Sequence, residues 1–295
     1  MGFQLKSRGK EILSLLKRHG PLSFRCIKEL IQPGMQEKKI RLSLSRLCKS
    51  GLIVRRQERI FGGAGTFYQL NQFEKVRALV ASVLGCNSSE LLQPYFKSRE
   101  LLHSEACAIW TQYLEKCFPT AKVLRDHELY GNQSAHEILL TQTRDFSLMP
   151  DIMLILNQHK SHEVRIVFEV ERSRKSKSRI LEKLKKYADE TTLDGVVYLC
   201  ESSQVSEPVR KIFETKIASK SLRISQYGNY FLVYSDELKI AKVAPKMFSA
   251  DASPVEFKLW IEHLIKMPLT SRRARNFKVQ GVDSSPLSDE LKIKL

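Results

Sequence analysis

Three acids stand out by their spacing. Asp151 opens the run P-D-I-M-L-I-L after Pro150, and Glu169 and Glu171 close the run V-R-I-V-F-E-V-E at 164–171. Successive side chains of an extended chain alternate, so Val164, Ile166, Phe168 and Val170 share one face, and Arg165, Val167, Glu169 and Glu171 the other. If the polar break at 157–163 closes a hairpin centred on Lys160, Asp151 lies opposite Glu169. Opposed side chains have Cβ atoms roughly 4.5–5.5 Å apart, where like charges repel. A divalent cation relieves such a cluster, because Mg2+ takes one or two carboxylates and keeps its other positions for water and phosphate oxygens. Asp151, Glu169 and Glu171 are therefore expected to hold a divalent cation such as Mg2+. The plain alternative is a solvated strand face in another register.

The elements that must position these acids follow from periodicity. A long amphipathic helix is predicted over 98–117, carrying His103 and Glu105. A strand over 121–130 contains Glu128, and the hairpin follows Pro150. Next come a helix over 174–190, a strand at 196–200, a helix over 207–218 and strands at 222–225 and 230–234. Arg172, Arg174, Lys175 and Lys177 sit where the 174–190 helix begins, well placed for a DNA backbone. Within that helix Ile180, Leu181, Leu184, Tyr187 and Ala188 form an apolar stripe, which assigns Tyr187 to the core.

The chain of 295 residues is long enough for two domains. No window approaches ~18 apolar residues in a row, and M-G-F-Q-L-K-S-R-G-K lacks the apolar core of a signal peptide, so a cytoplasmic location without a membrane segment is expected. The six cysteines show no C-x-x-C and no histidine partner at zinc spacing, so neither a disulfide nor a structural zinc is expected. The formal charge is +17, and it is uneven. Residues 1–70 hold 15 Lys or Arg against four Glu, a net +11, which points to nucleic acid.

That basic quarter has a layout of its own. Helices are predicted over 7–18, 23–31 and 36–49, the last with Ile40, Leu44 and Leu47 as a core stripe. Its other faces show Lys38, Lys39, Arg41, Ser43, Ser45, Arg46 and Lys49. Two strands joined by the tip G-G-A-G follow Gly51. Three helices and a hairpin in this order resemble a winged helix-turn-helix. That resemblance implies a third helix in the major groove, with Ser43, Ser45 and Arg46 toward base edges and Arg55, Arg56 and Arg59 of the wing on phosphates.

Pro150-Asp151 followed by Glu169-Val170-Glu171, on strands in this order, resembles the PD-(D/E)XK nuclease superfamily. The position of its usual lysine is Glu171; Lys183 or Lys186 offers a migrated charge, although lysines on a solvated helix face are commoner. The string F-E-V-E-R-S-R-K-S-K-S-R-I-L-E-K-L-K-K-Y followed by D-G-V-V-Y-L is similar to the MobC-type plasmid mobilisation relaxases, and more loosely to the replication-relaxation proteins. In those families a helix like L-L-H-S-E (His103, Glu105) and an acid like that of R-D-H-E-L (Glu128) recur, so Glu128 joins the candidate catalytic residues.

The expected fold is α/β in the α+β sense: a winged helix over 1–72, a helical linker over 73–97, a restriction-endonuclease-like core with a central mixed sheet flanked by helices over 98–245, and over 246–295 a C-terminal helix (254–266) and a partly disordered basic tail. The resemblance implies a Mg2+- or Mn2+-dependent nick of one strand of double-stranded DNA at a plasmid transfer origin, with accessory mobilisation or coupling proteins as further candidate partners. The competing readings are a non-catalytic DNA-binding regulator that kept the fold, and a double-strand endonuclease.

Overall fold

The structure is a computed structural model that describes residues 5–31, 36–60, 63–93, 96–131, 149–156, 163–189, 193–212, 215, 229–233, 246–248 and 254–256. These residues form an α+β fold with two sheets. No helix among these residues is long and apolar enough to cross a membrane.

The N-terminal part contains α1 (Ser7–His19), the short strand β1 (Leu22–Ser23), α2 (Phe24–Leu30), α3 (Glu37–Lys49), β2 (Ile53–Ile60) and β3 (Gly63–Leu70). The strands form an antiparallel sheet in the order β1-β3-β2. Ile12, Leu13 and Leu16 of α1 meet Ile40, Leu44 and Leu47 of α3 in one buried cluster. The helical spacing that the sequence offers on each helix thus becomes the seam between them. α4 (Glu74–Leu84) and the 3-10 turn Ser88–Leu91 add Val80, Ala81 and Leu91 to the same cluster. The stretch expected as a linker over 73–97 therefore supplies part of this core, because its apolar residues have a face to bury.

α1 stops at Gly20, whose φ of +77° suits a residue without a Cβ. Its N–H bonds the Leu16 carbonyl at 3.1 Å, and a Cβ built there would lie 2.9 Å from the Phe96 ring. Gly20→Ala is expected to cost about 1–3 kcal/mol, read as a lowered denaturation midpoint with unchanged secondary structure.

The second sheet has the strand order β10-β9-β8-β7-β6-β5-β4. β4 (Lys122–Arg125), β5 (Ile152–Leu156) and β6 (Val164–Glu171) run antiparallel, whereas β7 (Gly195–Cys200) and β8 (Asn229–Val233) join in parallel. α7 (Lys177–Asp189) makes the crossover from β6 to β7, and α8 (Ser203–Ile212) the next. β9 (Lys246–Phe248) and β10 (Pro254–Glu256) complete the sheet. β5 pairs with β6 from Ile152↔Phe168 to Leu156↔Val164, the register of a hairpin centred on Lys160.

Two apolar layers cover this sheet. Val164, Ile166, Phe168 and Val170 pack against Ala106, Cys107, Trp110 and Leu114 of α5 (Ser98–Cys117). Val167 on the opposite face packs with Ile180, Leu184 and Tyr187 of α7. Helix α5 is shared, since its Ala108 and Ile109 belong to the N-terminal cluster. Glu105 of α5 accepts the backbone N–H of Ser23, and the Ser104 hydroxyl donates to the His19 carbonyl at 3.0 Å. Arg125 sends Nη1 to within 3.4 Å of both the Ser104 carbonyl and His19 Nδ1. Burial, then Arg125 and Arg18, hold the His19 pKa well below 6.5, so it meets Arg125 as a neutral acceptor.

Several expected elements differ. The strand expected over 121–130 ends at Arg125, and Asp126–Gly131 is helix α6. Asp126 and Glu128 lie in its first turn, where acids face the positive end of the helix, and Glu128 accepts the Arg125 N–H at 2.8 Å. The helix expected over 207–218 starts earlier, at Ser203, which places Pro208 inside it. The C-terminal helix expected from 254 begins instead as β10, paired with β9 from Pro254↔Phe248. The break at 157–162, the strand at 222–225 and the tail beyond 256 lie outside the described residues.

Candidate active site

Asp151 sits just before β5. Its carbonyl accepts the Asp126 N–H at 3.2 Å, and its carboxylate Oδ2 accepts the Val170 N–H at 2.7 Å. The other oxygen, Oδ1, lies 3.1 Å from His103 Nε2. Burial works against the charge on Asp151, but His103, Lys183 and the Val170 N–H outweigh it and lower its pKa. Asp151 is thus an ionised carboxylate wedged between the end of β6 and helix α5.

Glu169 is 2 % exposed and faces α7. Both its oxygens have donors there: the Lys183 ammonium on Oε2 and the Tyr187 hydroxyl on Oε1. Lys183 and Tyr187 are four residues apart on one helical face, which lets a single carboxylate meet both. Burial first, with the repulsion of Asp151, pushes Glu169 from 4.5 to about 7, despite the attraction of Lys183. Burial also opposes the charge on Lys183, yet Glu169, Asp151 and Glu171 outweigh it and raise its pKa. The ammonium therefore persists, and the ion pair is complete only once Glu169 has lost its proton. Tyr187 is core, as its place in the stripe suggests, with its hydroxyl tip on the acid.

Glu171 is more open, its side chain 13 % exposed and 3.8 Å from the Lys175 ammonium. Burial raises its pKa, and the charge of Asp151 adds to that. The charge of Asp151 is thus felt by both Glu169 and Glu171 at one end of β5 and β6. Glu128 stands apart from them. Besides capping α6, it lies 3.5 Å from Arg18 Nε, so it fixes a turn and ties α1 to the sheet. The expectation of a strand acid there fails because D-H-E-L opens a helix.

No family model, curated protein or solved structure matches this chain. What the site can do must come from its own geometry.

The basic candidates divide by partner. On α3, Lys38, Lys39, Ser45, Arg46 and Lys49 are exposed. Arg41 is engaged within the protein, with Nε and Nη2 on Glu37 at 3.0 and 2.7 Å and its guanidinium 3.9 Å above the Phe24 ring. The Ser43 hydroxyl bonds back to the Lys39 carbonyl at 3.0 Å. Beside α3 lies a cavity of about 540 Å3 lined by Lys6, Arg8, Lys39, Ser43 and Arg46 among others. On β2, Arg55 and Arg59 are exposed, but Arg56 turns inward to Glu58 at 2.7 Å and the Phe96 carbonyl at 3.0 Å. Arg56 is therefore a joint to the segment before α5 and not a free phosphate contact. Arg174 pairs with Glu207 at 2.7 Å, and Lys177 is exposed.

Sequence reasoning passed over one pairing. Cys107 does have a histidine partner, His103, four residues before it on α5, with Sγ 3.5 Å from Nε2. The i, i+4 spacing was the available signal.

Proposed function

We propose that the protein is a metal-dependent DNA-nicking enzyme, built as a winged helix on a PD-(D/E)XK-like nuclease core. The observation that carries this reading is that Asp151, just before β5, lies close enough to Glu169 and Glu171 of β6 for its charge to raise both, with Lys183 brought to Glu169 from α7. The strand order supports it: three antiparallel strands, a crossover helix and a parallel fourth, with Asp151 just before the second and Glu169 and Glu171 on the third.

The donor set fits a hard divalent cation. All three acids offer oxygen, the ligand that Mg2+ and Mn2+ prefer, and each carboxylate oxygen has two lone pairs, so the donors now on Glu169 do not exhaust it. Burial and the charge of Asp151 raise both Glu169 and Glu171, a cost that a cation relieves. Asp151, Glu169 and Glu171 would hold the ion, which supplies charge neutralisation at the scissile phosphate and a more acidic water. The chain's own part is positional. The Val170 N–H and His103 orient Asp151, and Tyr187 and Lys183 orient Glu169. Lys183 also brings the positive charge that Glu171 does not, which favours the negative charge gained at phosphorus in the transition state.

The net +11 of residues 1–70 and the exposed cations of α3 support DNA as the substrate. A plasmid transfer origin is the target that the sequence resemblance suggests. The deciding experiment incubates the protein with supercoiled plasmid carrying such an origin, with Mg2+, Mn2+ or EDTA, and maps the ends. Open circles nicked at one position on one strand support the reading; linear product supports a double-strand endonuclease. One observation favours a non-catalytic DNA-binding regulator, namely that Lys183 already balances Glu169 without a cation. Binding without any cut under all metals would decide for it.

DNA affinity is expected to drop on Lys39→Ala or Arg46→Ala, with the slope of log affinity against log salt shallower by roughly one for each phosphate that is no longer neutralised. Arg56→Ala should instead lower thermal stability and leave that slope unchanged.

A further inference from the structure

His103 and Cys107 are not needed by the nicking chemistry as ligands, yet their reactive atoms converge. Four residues apart on α5, they lie one above the other on one helical face. Asp151 reaches them from the start of β5, so that His103 Nε2 is 3.1 Å from Asp151 Oδ1 and 3.5 Å from Cys107 Sγ. The three ligand atoms all lie within 4.8 Å of one another.

Those spacings are the ones a tetrahedral zinc ion imposes. With bonds of about 2.0–2.1 Å to nitrogen, 2.3 Å to sulfur and 2.0–2.2 Å to oxygen, the nitrogen and oxygen lie about 3.3 Å apart and the nitrogen and sulfur about 3.6 Å apart. Two of the three edges are already in place. A mixed nitrogen, sulfur and oxygen set also selects the metal, since thiolate and imidazole suit Zn2+ and not Mg2+. A single proton on Nε2 serves two acceptors poorly, whereas a divalent cation bonds all three atoms. The His103 side chain is 37 % exposed, which leaves a path for the ion and room for a water as fourth ligand.

We infer that His103, Cys107 and Asp151 form a binding site for Zn2+, which adds a nitrogen and a sulfur ligand to an Asp151 that it shares with the carboxylate group. One consequence rests on the nicking reading: with Oδ1 committed to zinc, Asp151 is withdrawn from the acids, so zinc would act as an inhibitor. The site itself does not depend on that reading.

The test uses the full-length, DNA-free protein and Co2+ as the spectroscopic stand-in for Zn2+, so its outcome is independent of any nicking. One equivalent of Co2+ is expected to give a sulfur-to-cobalt charge-transfer band in the near ultraviolet and intense tetrahedral bands in the visible, both removed by Zn2+. Cys107→Ser should lose the charge-transfer band. Should serine not be tolerated in the core, Cys107→Ala keeps the apolar contacts and serves the same purpose. His103→Gln should weaken Co2+ binding at least tenfold, the smaller of the effects seen on removing even an outer partner of a metal site. A Co2+ complex without the sulfur band, or a band that survives removal of Cys107, would overturn the proposal.

Discussion

Asp151→Asn and Glu169→Gln proteins are expected to fold and to bind DNA at least as tightly as the parent, yet to leave supercoiled plasmid uncut. Both substitutions keep side-chain shape and remove one negative charge that would face phosphate, so affinity holds or rises. Their effects on stability should differ in sign. Asp151 has a lowered pKa, so its charge is one the fold favours, and Asp151→Asn should cost on the order of 1 kcal/mol. Glu169 has a raised pKa, so its charge above about pH 7 is one that burial disfavours, and Glu169→Gln should be tolerated there at least as well. Nicking should fall by roughly a thousandfold or more in both, because the cation these acids would hold is worth several kcal/mol in the transition state. Glu171→Gln grades the third acid, a mild loss placing it outside direct contact. Activity retained in Asp151→Asn would sink the assignment.

Lys183→Met is the second large effect, and it should depend on pH. In the folded protein Glu169 holds its proton from its ordinary 4.5 up to about 7, so in that window the folded state binds more protons than the unfolded and stability falls as pH rises. Lys183 offsets this above pH 7, where its ammonium meets an ionised carboxylate. Against burial, the raised pKa of Lys183 comes first from Glu169, so the stabilisation it reports is present from about pH 7, where Glu169 ionises, and is lost as pH climbs above 10.5. Without the ammonium, Glu169 is left as a buried charge with, among the described residues, the Tyr187 hydroxyl as its donor. At pH 8 the loss should be on the order of 3 kcal/mol, at the lower end for a broken buried pair because Lys183 is itself 29 % exposed. Near pH 5, where Glu169 is protonated, it should shrink to about 1 kcal/mol or less. Denaturant midpoints at the two pH values check this, and an equal loss at both would show that Glu169 does not titrate in this window. Nicking should also fall.

The register of the β5–β6 hairpin was legible from the sequence because alternation and a polar break leave one solution that buries Ile166 and Phe168. The long α5 and the α3 stripe were legible for the same reason. Partnerships across the fold were less so. The spacing of Lys183 and Tyr187 shows that they share a face, but only the crossover of α7 decides that the face meets Glu169. Glu128 was misread because V-L-R-D-H-E-L-Y suits a strand by its apolar residues, while the acids favour a helix start, and the capping bond to Arg125 decides. Arg56 looked like one more wing cation; the pleat alone sends it inward while Arg55 stays out.

Helix α5 gives the two halves of the molecule a common ruler. Its Ile109 is locked into the core around α1 and α3, and one residue on, Trp110 is locked into the layer beneath β5 and β6. A reading head and a cutter joined by a loose tether would sample many offsets along a duplex; two halves clamped on one rod keep a single offset and a single phase. If α3 and the three acids engage the same DNA, the compliance has to come from the DNA. Bending 20–30 base pairs by 40–90° costs on the order of 1–6 kcal/mol, more for stiff tracts and less for steps that kink easily. Flexible steps between the bound sequence and the nick would then matter to a base that no side chain touches.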